Sequence, residues 1–319
     1  MAYIKFQPLY QKRVWGGRNL ELQLDRTLPE NSIIGESWEI VDRSNIQSIV
    51  KEGGYKGSSL RELLLHHSAV IMGPIWDPNC PFPVLVKWLD CRERLSLQVH
   101  PPLEVANRLH GEPKDEAWFI AYAEKNSSIL AGVKPGVDRK RFASALYKEE
   151  LESLVPKISV QPGDSIYIPS GRLHAIDGGS LILEIQQNSD TTYRVHDWGR
   201  IGLNGKPRQL HINESMECIN FSDIEPTINR NVVGDQLIAQ CPSFRIQKIL
   251  LDPQNSDHLI INQFEQPRLM SVVAGRLKNM KDEFILQKGD NVLLPYSENF
   301  VFKPEIESVL LLTDKFVLV

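Results

Sequence analysis

Gly163-Asp164-Ser165-Ile166-Tyr167-Ile168-Pro169-Ser170-Gly171-Arg172-Leu173-His174 decides the fold. Ile166 and Ile168 alternate with polar neighbours as in a strand, Pro169 ends the pairing because it has no N–H to donate, Gly171 permits a turn, and His174 follows at once. One imidazole is thereby set at the mouth of β-structure. Upstream, Leu95-Ser96-Leu97-Gln98-Val99-His100 delivers a second. Successive strand side chains point to opposite faces, so Leu95, Leu97 and Val99 share one face and Ser96, Gln98 and His100 the other. The apolar face is expected to pack outward on a second layer, and the polar face to line a cavity. Lys114-Asp115-Glu116 supplies a carboxylate between the two histidines. Two imidazoles and a carboxylate on β-structure point to a metal centre. His66, His67, His110, His211 and His258 have no comparable context and read as structural or solvent-exposed.

The 319 residues are 42% hydrophobic and 24% charged, enough for a sizeable core and for two domains. A net charge of -4 gives no basic field, which argues against nucleic acid as a partner. Cys80, Cys91, Cys218 and Cys241 are scattered with no C-x-x-C pair, the usage of free thiols in a reducing cytoplasm. No basic run precedes an apolar core at the N-terminus, and no window approaches the roughly 18 apolar residues that span a bilayer. The expectation is a cytoplasmic protein with no membrane partner; nothing in the sequence fixes its oligomeric state.

Short β-like runs dominate: Ser37 to Val41, Pro83 to Leu89, Ala117 to Tyr122 and Ser180 to Ile185. Helical spacing occurs over Ser59 to Ile71, Leu103 to Leu109 and Asp138 to Leu154, the last opening on Asp138 as a cap, and more weakly over His211 to Ile219. The chain is expected to be mainly β, with a few helices attached to its N-terminal half. Gln161 to Pro169 and Gln287 to Pro295 both read Q-x-G-D-x-x-x-x-P, so the architecture is duplicated. Where the first copy has Gly171 and His174, the second has Ser297 and Phe300, and it has lost the metal. The polar stretch Phe221 to Asp235 suits a boundary, giving a metal-binding domain over 1–225 and a degenerate, metal-free one over 226–319.

The pattern G-D-x-x-x-x-P-x-G-x-x-H resembles the second motif of the cupin superfamily, which implies two cupin-like jelly-roll barrels. A sharper likeness surrounds it. Trp15-Gly16-Gly17, Glu36 with Trp38, Lys87, Ser96 to Pro101, Lys114 with Glu116, His174-Ala175 and Glu184 through Asn188-Ser189-Asp190 to Arg194 follow the order of type I phosphomannose isomerases. The likeness to the short form of that family runs from about Phe6 to the C-terminus. It implies interconversion of mannose 6-phosphate and fructose 6-phosphate at one zinc ion per chain, with Gln98, His100, Glu116 and His174 as ligands and Arg194 as the active-site arginine. Gln98 either ligates or orients a water.

Such an isomerisation moves a proton between neighbouring carbons through an enediol. Zinc would polarise the carbonyl, and Arg194 would stabilise the developing oxyanion. Glu184 is the candidate base, or else a structural ion-pair partner of Arg194 or another cation; Lys114 would act on sugar oxygens or phosphate. Lys87 and Ser96 match phosphate-side positions, although Lys87 reads equally as a solvated edge residue. Trp15 and Glu36 suit a sugar pocket, and Trp15 equally suits a core. After Arg194 the chain reads Val195-His196-Asp197-Trp198, where longer members continue with Ala-Gly, so contacts there do not transfer. Two other classes fit the ligand set: an iron or manganese cupin dioxygenase, and a cupin that binds a sugar phosphate without turnover.

Overall fold

The computed structural model describes residues 3–146, 148, 150–255 and 257–316. The chain is mainly β and forms two compact units: Met1–Leu9, Trp38–Val86 and Val232–Val319 in one, Tyr10–Ser37 and Lys87–Asn231 in the other. This division differs from a single cut at 225/226. The C-terminal boundary falls in the expected polar stretch, but 1–9 and 38–86 group with the C-terminal segment. The chain crosses between units inside the continuous strands Ile34–Ile40 and Val84–Cys91, where no change of composition marks the passage.

The unit holding 87–231 is built on two sheets. A six-stranded sheet runs Ser165–Ile168, Glu116–Ala123, Ser180–Gln187, Val84–Cys91, Ile34–Ile40, Leu9–Gly17, and a five-stranded one runs Lys157–Ser159, Ser128–Ala131, His174–Ile176, Leu97–Val99, Tyr193–His196. The sheets are open, not closed barrels. One apolar cluster lies between them, with Trp118, Ile120, Ile166, Ile168 and Ile182 from the first and Ile129, Ala131 and Ile176 from the second. A second covers the outer face of the five-stranded sheet: Leu97, Val99, Ala175 and Val195 meet Val105, Phe142, Ala145 and Met216. Those last four sit on the helices Leu103–Arg108, Arg139–Leu146 and Ile212–Cys218. The apolar face around Leu97 therefore packs outward on helices, which leaves Gln98 directed inward. Leu95 departs from this alternation, because it precedes the strand and joins the inter-sheet core.

The helix expected over Asp138 to Leu154 is shorter. Asp138 Oδ1 accepts from Arg141 N at 2.7 Å as a cap should, but the helix ends at Leu146 and a separate 3₁₀ turn covers Leu151–Leu154; residues 147 and 149 lie outside the described residues. A six-residue helix, Asn19–Leu24, was not expected from the sequence: it is too short for a hydrophobic period, and its start is held by Asp90, distant in sequence. Among the described residues no helix is long and apolar enough to cross a membrane.

The other unit carries an eight-stranded sheet in which Asn291–Leu294, Arg268–Asn279 and Phe300–Asp314 are neighbours, with Leu259–Ile261 beside the last. Its helix Leu60–Ile71 starts on a reciprocal cap between Ser59 and Glu62.

The sequence repeat is a structural repeat. Gly163 and Gly289 both have φ +92°, a conformation that favours glycine, and the following aspartate accepts from the backbone of Gln161 or Gln287 at 3.0 Å in each copy. Pairing then fixes corresponding positions. Ile168 stands opposite Glu116 and Leu294 opposite Arg268; His174 stands opposite Gln98 and Phe300 opposite Ile261.

Candidate metal centre and substrate pocket

Three of the candidate ligands sit at strand ends, and Gln98 is the middle residue of Leu97–Val99. His100 follows Leu97–Val99, Glu116 opens Glu116–Ala123, and His174 opens His174–Ile176. Their relative exposures are 1%, 0% and 0%. His100 Nε2 lies 3.4 Å from Glu116 Oε2 and His174 Nε2 lies 3.5 Å from Glu116 Oε1, with the two rings 4.8 Å apart. The opposite nitrogens are anchored: His100 Nδ1 meets Thr191 O at 2.9 Å and His174 Nδ1 meets Arg172 O at 2.9 Å. A carbonyl only accepts, so both Nδ1 atoms carry the proton and both Nε2 lone pairs face the carboxylate.

Electrostatics keep the set ready for a cation. Burial lowers the pKa of His174 to about 3, and burial with Lys114 lowers that of His100, so both imidazoles are neutral near pH 7. Burial disfavours ionisation of Glu116, but the charge of Lys114 at 2.7 Å outweighs it and holds the carboxyl well below its ordinary range. Neither Glu116 oxygen receives a hydrogen bond of acceptable angle, the Lys114 contact included. A buried ionised carboxylate without such bonds, facing two imidazole lone pairs, is a donor set that fits a divalent metal. It is also the one His/Cys/Asp/Glu cluster of that kind among the described residues.

Beside it opens a cavity of about 290 Å³ lined by Arg13, Trp15, Glu36, Lys87, Leu89, Leu95, Ser96, Gln98, Lys114, Glu184, Asp190, Thr192, Arg194, Arg208 and His211. Every candidate catalytic and substrate residue from the sequence is there. Gln98 Nε2 lies 3.2 Å from His174 Nε2, while its Oε1 accepts from Ser96 Oγ at 3.1 Å. Glu184 is buried; Trp118 Nε1 donates to its Oε2 at 3.0 Å, and Lys87 and Lys114 approach its Oε1 at 3.6 and 3.9 Å. Its ionic neighbours are these two lysines, not Arg194. Burial, then the charge of Glu116, raise its pKa against the pull of both lysines. Lys114 is raised: burial opposes its charge, but Glu116 and Glu184 prevail. Arg194 donates to Gln209 O at 2.8 Å, and burial followed by the nearby Arg208 lowers its pKa. Trp15 serves both expected purposes, since it lines the cavity and belongs to the inter-sheet core.

Sequence reasoning missed Arg13, Arg208 and His211. Arg13 forks onto Glu36 at 3.1 and 3.0 Å, and Arg208 onto Asp197. His211, assigned on sequence to a structural or solvent role, lines the cavity, and its Nδ1 accepts from Arg194 N at 3.2 Å. The signal for it was weak, because the loop that returns to Arg194 has no periodicity. His196 does not line the cavity and rests edge-on against Trp198.

Residues 3–128 match the family described as phosphomannose isomerase type I, catalytic domain. Mannose-6-phosphate isomerase ManA of Bacillus subtilis is 36% identical over 300 residues, 91% of this chain and 92% of the relative. Mannose-6-phosphate isomerase of Streptococcus mutans is 32% identical, covering 95% and 96%. The solved mannose 6-phosphate isomerase of Bacillus subtilis superposes with a TM-score of 0.87 at 30% identity, over 98% of this chain and all of that one. Fold and site together thus define a β-sheet enzyme of the isomerase class. The chain belongs to the type I phosphomannose isomerase family.

Proposed function

We propose that the chain interconverts mannose 6-phosphate and fructose 6-phosphate through an enediol, with one zinc ion held by His100, Glu116 and His174. The observation that carries this reading is the buried His-Glu-His cluster at the edge of a cavity lined by five cations, in a chain over 30% identical to named mannose-6-phosphate isomerases. A mannose 6-phosphate isomerase with the same fold, TM-score 0.74, has been solved with zinc and yttrium bound. Two histidines and a carboxylate are a common catalytic zinc set, and zinc would supply Lewis-acid polarisation of the sugar carbonyl.

The side chains divide the remaining work. Glu184 takes the proton from the carbon next to the carbonyl and returns one to its neighbour; its raised pKa suits a base, and Trp118 Nε1 fixes the carboxylate's orientation. Lys114 stays protonated and donates to sugar oxygens, while Arg194 stabilises the oxyanion without losing its proton. Lys87 and Ser96 receive the phosphate side of the substrate, and Trp15 and Glu36 the sugar. Gln98 joins the ligands only if its amide turns Oε1 toward His174, a rotation Ser96 Oγ tolerates because a hydroxyl both donates and accepts. Residues 226–319, the copy without the ligand pattern, serve a supporting role, and the four scattered cysteines suit a cytoplasmic enzyme.

Metal analysis of the purified protein, followed by a coupled assay for fructose 6-phosphate from mannose 6-phosphate, tests the proposal. One zinc per chain with turnover is expected. Zinc present with no product would sink the isomerase reading; turnover on iron alone would sink the choice of metal.

A further inference from the structure

We propose that Asp115, between Lys114 and Glu116, is a positioning residue that fixes the spacing of the metal ligands across two sheets. The proposal rests on the metal reading above and adds a residue that the ligand pattern does not include. Glu116 lies on the six-stranded sheet, whereas His174 opens a strand of the five-stranded sheet and His100 follows another. Two sheets in apolar contact can slide by fractions of an ångström at little cost, yet a metal set tolerates little such drift. Something polar must tie the sheets together beside the ligands.

Asp115 does so at the point where the chain crosses from one sheet to the other. Between Ile168 and His174 the crossover passes through Ser170, whose N and Oγ both donate to Asp115 Oδ1 at 2.8 Å. Next to it, Gly171 N donates to His100 O at 2.8 Å. The Ser170-Gly171 pair thereby ties the segment of His174 to those of Glu116 and His100. Asp115 also pairs with Gln187: its N donates to Gln187 Oε1 at 2.7 Å and its O accepts from Gln187 N at 2.9 Å. That second tie leads into the 188–192 segment, where Thr191 O holds His100 Nδ1.

The duplicated copy shows that the turn does not require this tie for folding. Counting from the paired positions, Asp115 corresponds to Pro267 and Ser170 to Tyr296. Proline has no carboxylate and no N–H, so the knot is absent there. The turn nevertheless forms: Glu298 N reaches Pro295 O at 3.2 Å as Arg172 N reaches Pro169 O at 3.0 Å. The tie is present in the copy that carries the ligands and absent from the copy that lacks them.

The test titrates zinc, against a chromogenic chelator, into the metal-stripped full-length chain and its variants, with thermal unfolding of each metal-free protein alongside. Asp115→Ala is expected to weaken zinc binding by about 10–100-fold, the usual effect of removing a partner that orients ligands. Asp115→Asn keeps an oxygen that accepts both Ser170 bonds and should stay within about 3-fold of wild type. Ser170→Ala removes one of the two bonds and should fall between them, which also decides the matter if Asp115→Ala does not fold. Wild-type zinc affinity in Ser170→Ala and in a folded Asp115→Ala, even with lowered thermal stability, would reduce Asp115 to a folding role and overturn the proposal. So would an Asp115→Asn as weak as Asp115→Ala, since charge rather than hydrogen bonding would then be at work. Failure of the wild-type chain to bind zinc would instead overturn the metal reading itself, before any variant is compared.

Discussion

The two copies of the Q-x-G-D-x-x-x-x-P element share a backbone and differ in chemistry. In each, a glycine at φ +92° and an aspartate that closes onto the glutamine three residues earlier start a short buried strand. In one copy the strand leads to a ligand cluster. In the other the four positions related by register to Gln98, His100, Glu116 and His174 are Ile261, Gln263, Arg268 and Phe300. Phe300 is buried in an apolar core and stacks 5.7 Å from Phe302, and Arg268 sets a cation where the first copy has a carboxylate. Replacing an imidazole by a phenyl ring removes the lone pair and fills the gap with apolar surface, and a guanidinium repels a metal ion. The turn therefore belongs to the fold, and the two copies part in the side chains at these four positions.

Copying the second unit into the first is the strongest test. His174→Phe imports the residue of the degenerate copy at a site of similar burial. Zinc should fall from one per chain to a trace, and turnover should drop by roughly three orders of magnitude or more, because carbonyl polarisation and ligand geometry are lost together. Circular dichroism should show an unchanged β spectrum. A zinc-replete, active His174→Phe would break the distinction between the copies.

Glu184→Gln probes the next level, chemistry without metal binding. The amide keeps the bond from Trp118 Nε1 through its oxygen but cannot take a proton, so kcat should fall by about 10²–10⁴-fold at full zinc occupancy. The pH profile adds a sign. A base works only when ionised, and burial together with Glu116 raises the pKa of Glu184 above the ordinary 4.5. Activity should thus decline on acidification as Glu184 takes up a proton, and that limb should vanish in Glu184→Gln. Near-normal turnover of the variant would move the base elsewhere.

Much of this was legible in the sequence because the candidate ligands His100, Glu116 and His174 lie at strand ends with strong local signals. Alternation placed Gln98 and His100 on one face, and Pro169 with Gly171 placed His174. The residues that were missed depend on long-range closure. Arg208 and His211 reach the cavity through a loop folded back by the fork onto Asp197, 11 residues before Arg208. Arg13 matters because it pairs with Glu36 across neighbouring strands. The helix Asn19–Leu24 depends on Asp90 in the same way. The N-terminal crossings between the units were hidden for another reason: they fall within strands, and strand periodicity does not change where one compact unit hands the chain to the next.

Gly289→Ala separates fold from site at the smallest scale. A side chain at φ +92° meets its own backbone, and the left-handed region costs an L-residue about 1–2 kcal/mol. Urea unfolding should show a loss of at least that size, with zinc affinity and turnover of the folded protein unchanged, because no candidate ligand lies in that copy. The matching Gly163→Ala pays the same backbone cost, and its Cβ would also run into the side chain of Asn231. It also lies on the turn that starts Ser165–Ile168, the strand opposite Glu116, and so should disturb zinc binding as well as stability. Equal stability losses with equal zinc affinities in both variants would show that the two turns are interchangeable even where one of them leads to the ligands. A zinc defect confined to Gly163→Ala would locate the functional difference in what each turn delivers, since both turns are built the same way.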